Sequence, residues 1–184
     1  MNQPPQSPAS RSLPVRRLLV AAVVGLVLLL GAGLVWTRVQ AFAAPEQPIA
    51  YSHEVHVAAG VECLYCHSGA QRTSSAGIPT AEKCMGCHAV IEVEHPEVQK
   101  IAEYASQGEA IPWVRVNLQP DFVFFSHQPH LGAGLNCEAC HGEVSRMTVA
   151  RPVVRMDMGW CLSCHLDQPQ EKVARLADCV ACHK

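Results

Sequence analysis

The chain is short of aromatic residues and of charge, and it has no cysteine to spare. Aromatics make up 5 % and charged residues 16 % of its 184 residues. So few rings leave little to fill a large side-chain core. Glycine and proline, at 12 and 13 residues, break up long regular elements. Net charge is −2 with histidine neutral, so the basic footprint of a nucleic-acid-binding protein is missing. The stretch from Glu109 to Phe125 holds no charged pair and no Ser/His/Asp arrangement of a catalytic kind.

What the chain does hold is one short pattern, five times. Cys-x-x-Cys-His occurs at Cys63–Cys66–His67, Cys84–Cys87–His88, Cys137–Cys140–His141, Cys161–Cys164–His165 and Cys179–Cys182–His183. Together these use all ten cysteines and five of the ten histidines. The pattern is the attachment site of a c-type haem: both thiols become thioethers and the histidine becomes the proximal iron ligand. Zinc ribbons also use Cys-x-x-Cys pairs, but they combine two per ion and need no histidine after each second cysteine. An odd number of pairs fits zinc poorly. A disulfide framework would need five tight redox dithiols in one small chain. The sequence therefore predicts five c-type haems, a mostly irregular and α-helical domain cored by haem, and short helices carrying the motifs.

The segment before the motifs points to a membrane. Residues 1–17 are polar, rich in Pro and Ser, and end in Arg11, Arg16 and Arg17; they read as a disordered cytoplasmic tail. Leu18 to Trp36 is a 19-residue run without a charge, which predicts a transmembrane anchor over 18–37. Trp36 suits an interface, and the arginines ahead of the run place the N-terminus in the cytoplasm and the remainder outside. Ala41-Phe42-Ala43 resembles a signal-peptidase site, but the apolar run exceeds a signal's usual 7–15 residues. Residues 38–50 then form a linker to a pentahaem domain over 51–184.

That domain repeats itself. Residues 51–67, YSHEVHVAAGVECLYCH, align without a gap on residues 125–141, FSHQPHLGAGLNCEACH. Each copy is followed by one more motif, giving dihaem modules over about 51–94 and 125–166 and a fifth haem over 167–184. His53 and His56, like His127 and His130, stand three apart, so on a helical turn they share a face yet reach different irons. They are candidate distal ligands. The arrangement resembles small multihaem cytochromes of the class III type. That resemblance assigns His53 to the Cys63/Cys66 haem and His127 to the Cys137/Cys140 haem, and sends His56 and His130 to other haems.

Four distal histidines leave one iron short. Methionine is the other usual axial ligand. Met158, in Met-Gly-Trp-Cys just ahead of Cys161, is the first candidate, with Met147 and His95 as rivals. His95 precedes Pro96, which suits the start of a helix closed by Gly108.

Several longer stretches carry a family resemblance. AGIPTAEKCMGCH (76–88), IPWVRVNLQPDFVFFSHQPH (111–130), CEACHGEVSRMTV (137–149) and MGWCLSCH (158–165) resemble the pentahaem cytochrome c subunit of the alternative complex III family. Relatives there often carry histidine where this chain has Asn117, so position 117 supplies no imidazole here. The resemblance implies a non-catalytic electron-transfer subunit of a quinol-oxidising membrane complex. It would work beside an iron–sulfur subunit, integral membrane subunits and a monohaem cytochrome c, and pass electrons to a downstream cytochrome c or other periplasmic carrier. Two alternatives stand beside it: a stand-alone membrane-anchored quinol dehydrogenase cytochrome, and a multihaem reductase with an open haem. The second commonly replaces one motif histidine by lysine, which none of the five motifs does.

Overall fold

The computed structural model describes residues 14–183. The chain divides into two compact units that meet at Ala41 and Phe42. The first is a single helix, α1, over Val15–Ala41. It is long and apolar enough to cross a bilayer, and none of its residues is buried. It extends beyond the uncharged run at both ends, so Arg16 and Arg17 are helical. Arg11 and the remainder of residues 1–13 lie outside the described residues.

The second unit is helical and irregular, and no strand occurs among the described residues. Ser52 caps α2 (His53–Ala58), its hydroxyl accepting the Val55 N–H at 3.3 Å. The first motif forms α3 (Cys63–Cys66), followed by a 3-10 turn over Ser68–Gln71. The second motif ends α4 (Ala81–His88). Helix α5 (Pro96–Gln107) starts on Pro96 and closes on Gly108 in the left-handed conformation at φ 66°. Next come α6 (His127–Gly132), α7 (Glu138–His141) and a second 3-10 turn, Val144–Arg146. The chain ends with α8 (Met158–His165), α9 (Gln170–Leu176) and α10 (Cys179–Cys182).

Side chains bury little. The core cluster is Ile49, Ala81, Ile101 and Ile111, with Cys84, Met85, Tyr104, Ala105 and Trp113 packed around it where α4 meets α5. The two modules are tied by exchange rather than laid side by side. Helix α2 packs on the turn Val144–Arg146, and α6 packs on the turn Ser68–Gln71. The Glu54 N–H donates to the Met147 carbonyl at 3.2 Å. Each module's leading helix therefore rests on the turn that follows the other module's first motif.

One backbone position is fixed by that packing. Gly142, directly after His141, has φ 67° and ψ −169°, a region only glycine occupies at ease. A Cβ there would come within 2.9 Å of the Val153 methyls. Gly142→Ala is expected to cost about 1–3 kcal/mol. Thermal melting of the haem-loaded protein, followed by visible absorbance, should show the fall in Tm.

Candidate haem sites

The site histidines are positioned by the short helices just described. In α2 the His56 ring donates through Nδ1 to the Ser52 carbonyl at 2.8 Å. In α6 the His130 ring does the same to Ser126 at 2.8 Å. The aromatic residue one step earlier braces both histidines of its helix. Tyr51 lies 4.4 Å from the His56 ring and edge-on to His53 at 4.9 Å. Phe125 lies 4.8 Å from His130 and edge-on to His127 at 4.7 Å. Burial, with neighbouring thiols adding to it, pushes the Tyr51 phenol up to about 12, so it stays neutral.

Each of these four rings faces a motif histidine. His53 stands 6.4 Å from His67 with planes 17° apart, and His127 stands 6.4 Å from His141 with planes 18° apart. His130 faces His165 at 6.0 Å and 25°. His56 faces His88 at 6.0 Å with planes crossed at 65°. An imidazole nitrogen binds a first-row metal at about 2.0–2.1 Å and lies roughly 1.1 Å from its ring centroid, so two rings across one ion stand ~6.3 Å apart. All four pairs have that spacing.

Seven of the nine rings are held in the metal-binding tautomer by a backbone carbonyl. Nδ1 of His67 donates to the Gly77 carbonyl at 2.7 Å and that of His88 to Ile91 at 3.0 Å. His165 donates to Leu176 at 2.9 Å and His183 to Phe122 at 3.3 Å. His127 donates to Ser74 at 3.1 Å, in the loop after the first motif. A ring committed at Nδ1 keeps the Nε2 lone pair for a metal. Burial, then the neighbouring His67 and His56 rings, lowers the His53 pKa. Burial, then His127 and His67, lowers that of His141. Both stay neutral, the form that coordinates. Nδ1 of His53 is buried without a partner.

The sulfurs complete the arrangement. All ten are free thiols, and none of the Cys-x-x-Cys pairs has closed on itself. Burial is the main cause raising the thiols of Cys66, Cys84, Cys137, Cys140 and Cys161. In four of them the sulfur of another motif adds most to the effect. Cys84 feels Cys66, Cys137 feels Cys63, Cys140 feels Cys164, and Cys161 feels Cys182. The Lys83 ammonium sits 4.1 Å over the Tyr65 ring, again joining the first and second motifs. The ring contacts link the same motifs: α2 faces the first and second motif histidines, α6 faces the third and fourth, and the His127 hold on Ser74 brings α6 against the loop after the first.

The sequence profile described as cytochrome c7 and related cytochrome c matches residues 123–184. The multiheme cytochrome c subunit of a menaquinone reductase from Nitratidesulfovibrio vulgaris is 34 % identical, over 88 % of this chain and 88 % of that protein. The chain belongs to the multihaem cytochrome c family.

Free thiol pairs, each followed directly by a histidine, fit a c-type haem, and the four facing imidazole pairs would offer four irons two ring nitrogens each. The fifth site differs. The His183 ring lies 5.8 Å from Phe122 at 28°, and the Phe124 N–H donates to the Cys182 carbonyl at 2.8 Å. Met158 opens α8 and is 64 % exposed, whereas Met147 is half-buried beside the turn Val144–Arg146. Met85, inside the second motif, packs on the α4–α5 core.

His95 has another task. It caps α5, its Nδ1 accepting the Glu97 N–H at 3.2 Å. An accepting Nδ1 puts the ring proton on Nε2, which then offers no lone pair to a metal. His95→Ala is expected to cost about 1 kcal/mol of stability, as cap losses do. It should leave the reduced visible spectrum of the haem-loaded protein unchanged.

The sequence carries the aromatic brace but not the Ser74 contact. Tyr51 and Phe125 were visible as a repeated aromatic one place before Ser-His-x-x-His. The Ser74 carbonyl left no sequence signal, because any residue presents one.

Proposed function

We propose that this chain carries electrons through five c-type haems as the non-catalytic cytochrome subunit of a quinone-linked membrane complex of the alternative complex III kind. The observation that carries this reading is the set of four imidazole pairs at 6.0–6.4 Å, a spacing that would let each pair hold one iron between two ring nitrogens. Haem iron held this way supplies one-electron exchange. The thioether residues are Cys63, Cys66, Cys84, Cys87, Cys137, Cys140, Cys161, Cys164, Cys179 and Cys182. His67, His88, His141, His165 and His183 are proximal, and His53, His56, His127 and His130 distal. Met158 is the fifth distal ligand; its support is its place on α8, whose Cys161 adjoins Cys182 of the last motif.

Helix α1 anchors the chain in the cytoplasmic membrane, with Arg16 and Arg17 on the cytoplasmic side and the haem domain on the outer face. On this reading the second and the fifth sites are the two ends of the wire, and redox partners would dock there. Those partners are an iron–sulfur subunit, integral membrane subunits and a monohaem cytochrome c or other periplasmic carrier.

The relative's name, menaquinone reductase, supports a quinone link and favours a second reading in which electrons run towards the quinone. One experiment addresses both. The tagged chain is purified with its native complex, and its haem is counted as the pyridine haemochrome. Five haems per chain and reduction of the cytochrome by a menaquinol analogue support quinol oxidation. Oxidation of the pre-reduced cytochrome by the quinone supports the reverse direction. Four haems, or no response to either form, overturns the assignment.

A further inference from the structure

Seven of the site histidines rest Nδ1 on a backbone carbonyl. His141 does not. Its Nδ1 faces the side-chain amide of Asn117 through Nδ2 at 3.1 Å. An amide can turn either end to a ring at the same distance. With Nδ2 donating, Nδ1 of a neutral imidazole is bare, Nε2 carries the proton, and the ring is useless to an iron. With Oδ1 accepting, Nδ1 carries the proton and Nε2 points its lone pair at the site shared with His127.

We infer that Asn117 is a positioning residue that turns Oδ1 to His141, holds it in the iron-binding tautomer and sets how strongly it donates. The inference rests on reading His141 as a haem ligand. A carbonyl of the main chain is the same whatever residue carries it. Asn117 is a side chain, so its site is the one motif histidine whose electron donation a single substitution can tune. A stronger acceptor on Nδ1 makes an imidazole more basic and favours the oxidised metal.

The segment carrying Asn117 is well placed for this. Gln47 grips Val114 at both backbone groups, donating to its carbonyl at 2.8 Å and accepting its N–H at 2.9 Å. Five residues beyond Asn117, the Phe122 carbonyl receives His183 at 3.3 Å. One strap thus serves the third and fifth sites. Asn117 itself is exposed, so changing it disturbs no buried packing.

The test is an equilibrium redox titration of the haem-loaded full chain, with low-temperature EPR, for Asn117→Asp, Asn117→Leu, Asn117→Gln and His141→Met. Asn117→Asp is expected to move one component to lower potential. At that component's original midpoint the oxidised-to-reduced ratio should rise about tenfold, which is 59 mV for a one-electron couple. Asn117→Leu should move the same component the opposite way, and Asn117→Gln should stay near the parent. A residue that only packs would not give opposite signs for Asp and Leu. Equal titrations, or shifts of one sign, overturn the inference. His141→Met tests the ligand reading separately. A changed EPR signal for one iron upholds His141 as a ligand even if Asn117 fails, and an unchanged signal removes both.

Discussion

Made without haem, the full chain is expected to show no cooperative unfolding transition. Among the described residues the buried apolar side chains are Ile49, Ala70, Ala81, Val98, Ile101 and Ile111. Nearly all lie where α4 meets α5. Helices α2, α3, α6, α7, α8, α9 and α10 bury no residue at all. Helices of four to eight residues do not hold themselves in water, since each must meet the cost of nucleation with only a few bonds. On the proposed haem content, covalent haem would be what these helices pack against, and its attachment and the folding of residues 42–183 should be one event. The measurement compares the chain produced with and without the haem-attachment machinery, in detergent. The loaded chain should melt cooperatively and resist protease beyond α1. The haem-free chain should retain helical circular dichroism from α1 alone and be cut throughout the remainder. A protected, cooperatively melting haem-free domain would show that side chains suffice.

The same scarcity explains what could be read from sequence. Fold class was legible because the motifs are local: Cys-x-x-Cys-His dictates a helical turn wherever it occurs, and the uncharged run Leu18–Trp36 dictates one long helix. Helix α5 was legible from Pro96 and Gly108, which mark its ends. The exchange between modules was not. Division at about residues 94 and 125 suggests two separate pairs of sites, yet His127 leans on Ser74 and Glu54 on Met147. Both contacts end on a backbone carbonyl, which carries no residue-type signal. In the sequence Asn117 stands out only for the imidazole it lacks. Its approach to His141 spans 24 residues and depends on Gln47 pinning Val114, a contact 67 residues long in sequence. His95, only a rival candidate by residue type, was legible as a helix start from its place before Pro96, and it does cap α5.

Removing one distal imidazole should convert a chain that ignores carbon monoxide at its paired sites into one that binds a single equivalent. His130 is the position to change. It is half-buried, its Nδ1 donates to Ser126 at 2.8 Å, and its ring faces His165 at 6.0 Å. In His130→Ala the motif histidine His165 keeps its hold on Leu176, so the proximal side remains set. The opposite face loses its only facing imidazole, and Phe125, which braces both His127 and His130, offers no lone pair to replace it. The expected result is about one carbon monoxide per chain in the variant, read as a shift in the reduced visible band. Asp157 at the cap of α8 and the free thiols of the fourth motif are untouched, so haem content should remain that of the parent. His130→Met is the companion change. It restores six-coordination with a weaker donor, so the gas should again be excluded. One component of the titration should rise by up to a few tenths of a volt, within the ~0.8 V that axial ligands span. Gas binding by the alanine variant together with exclusion by the methionine variant identifies His130 as the ligand of the fourth site. If neither variant differs from the parent, the pair His130–His165 is packing and the fourth iron takes its second ligand elsewhere. The His130 result also bears on the fifth site. A parent chain that already binds one equivalent would mean that Met158 leaves the His183 iron open, and His130→Ala would then raise the count from one to two.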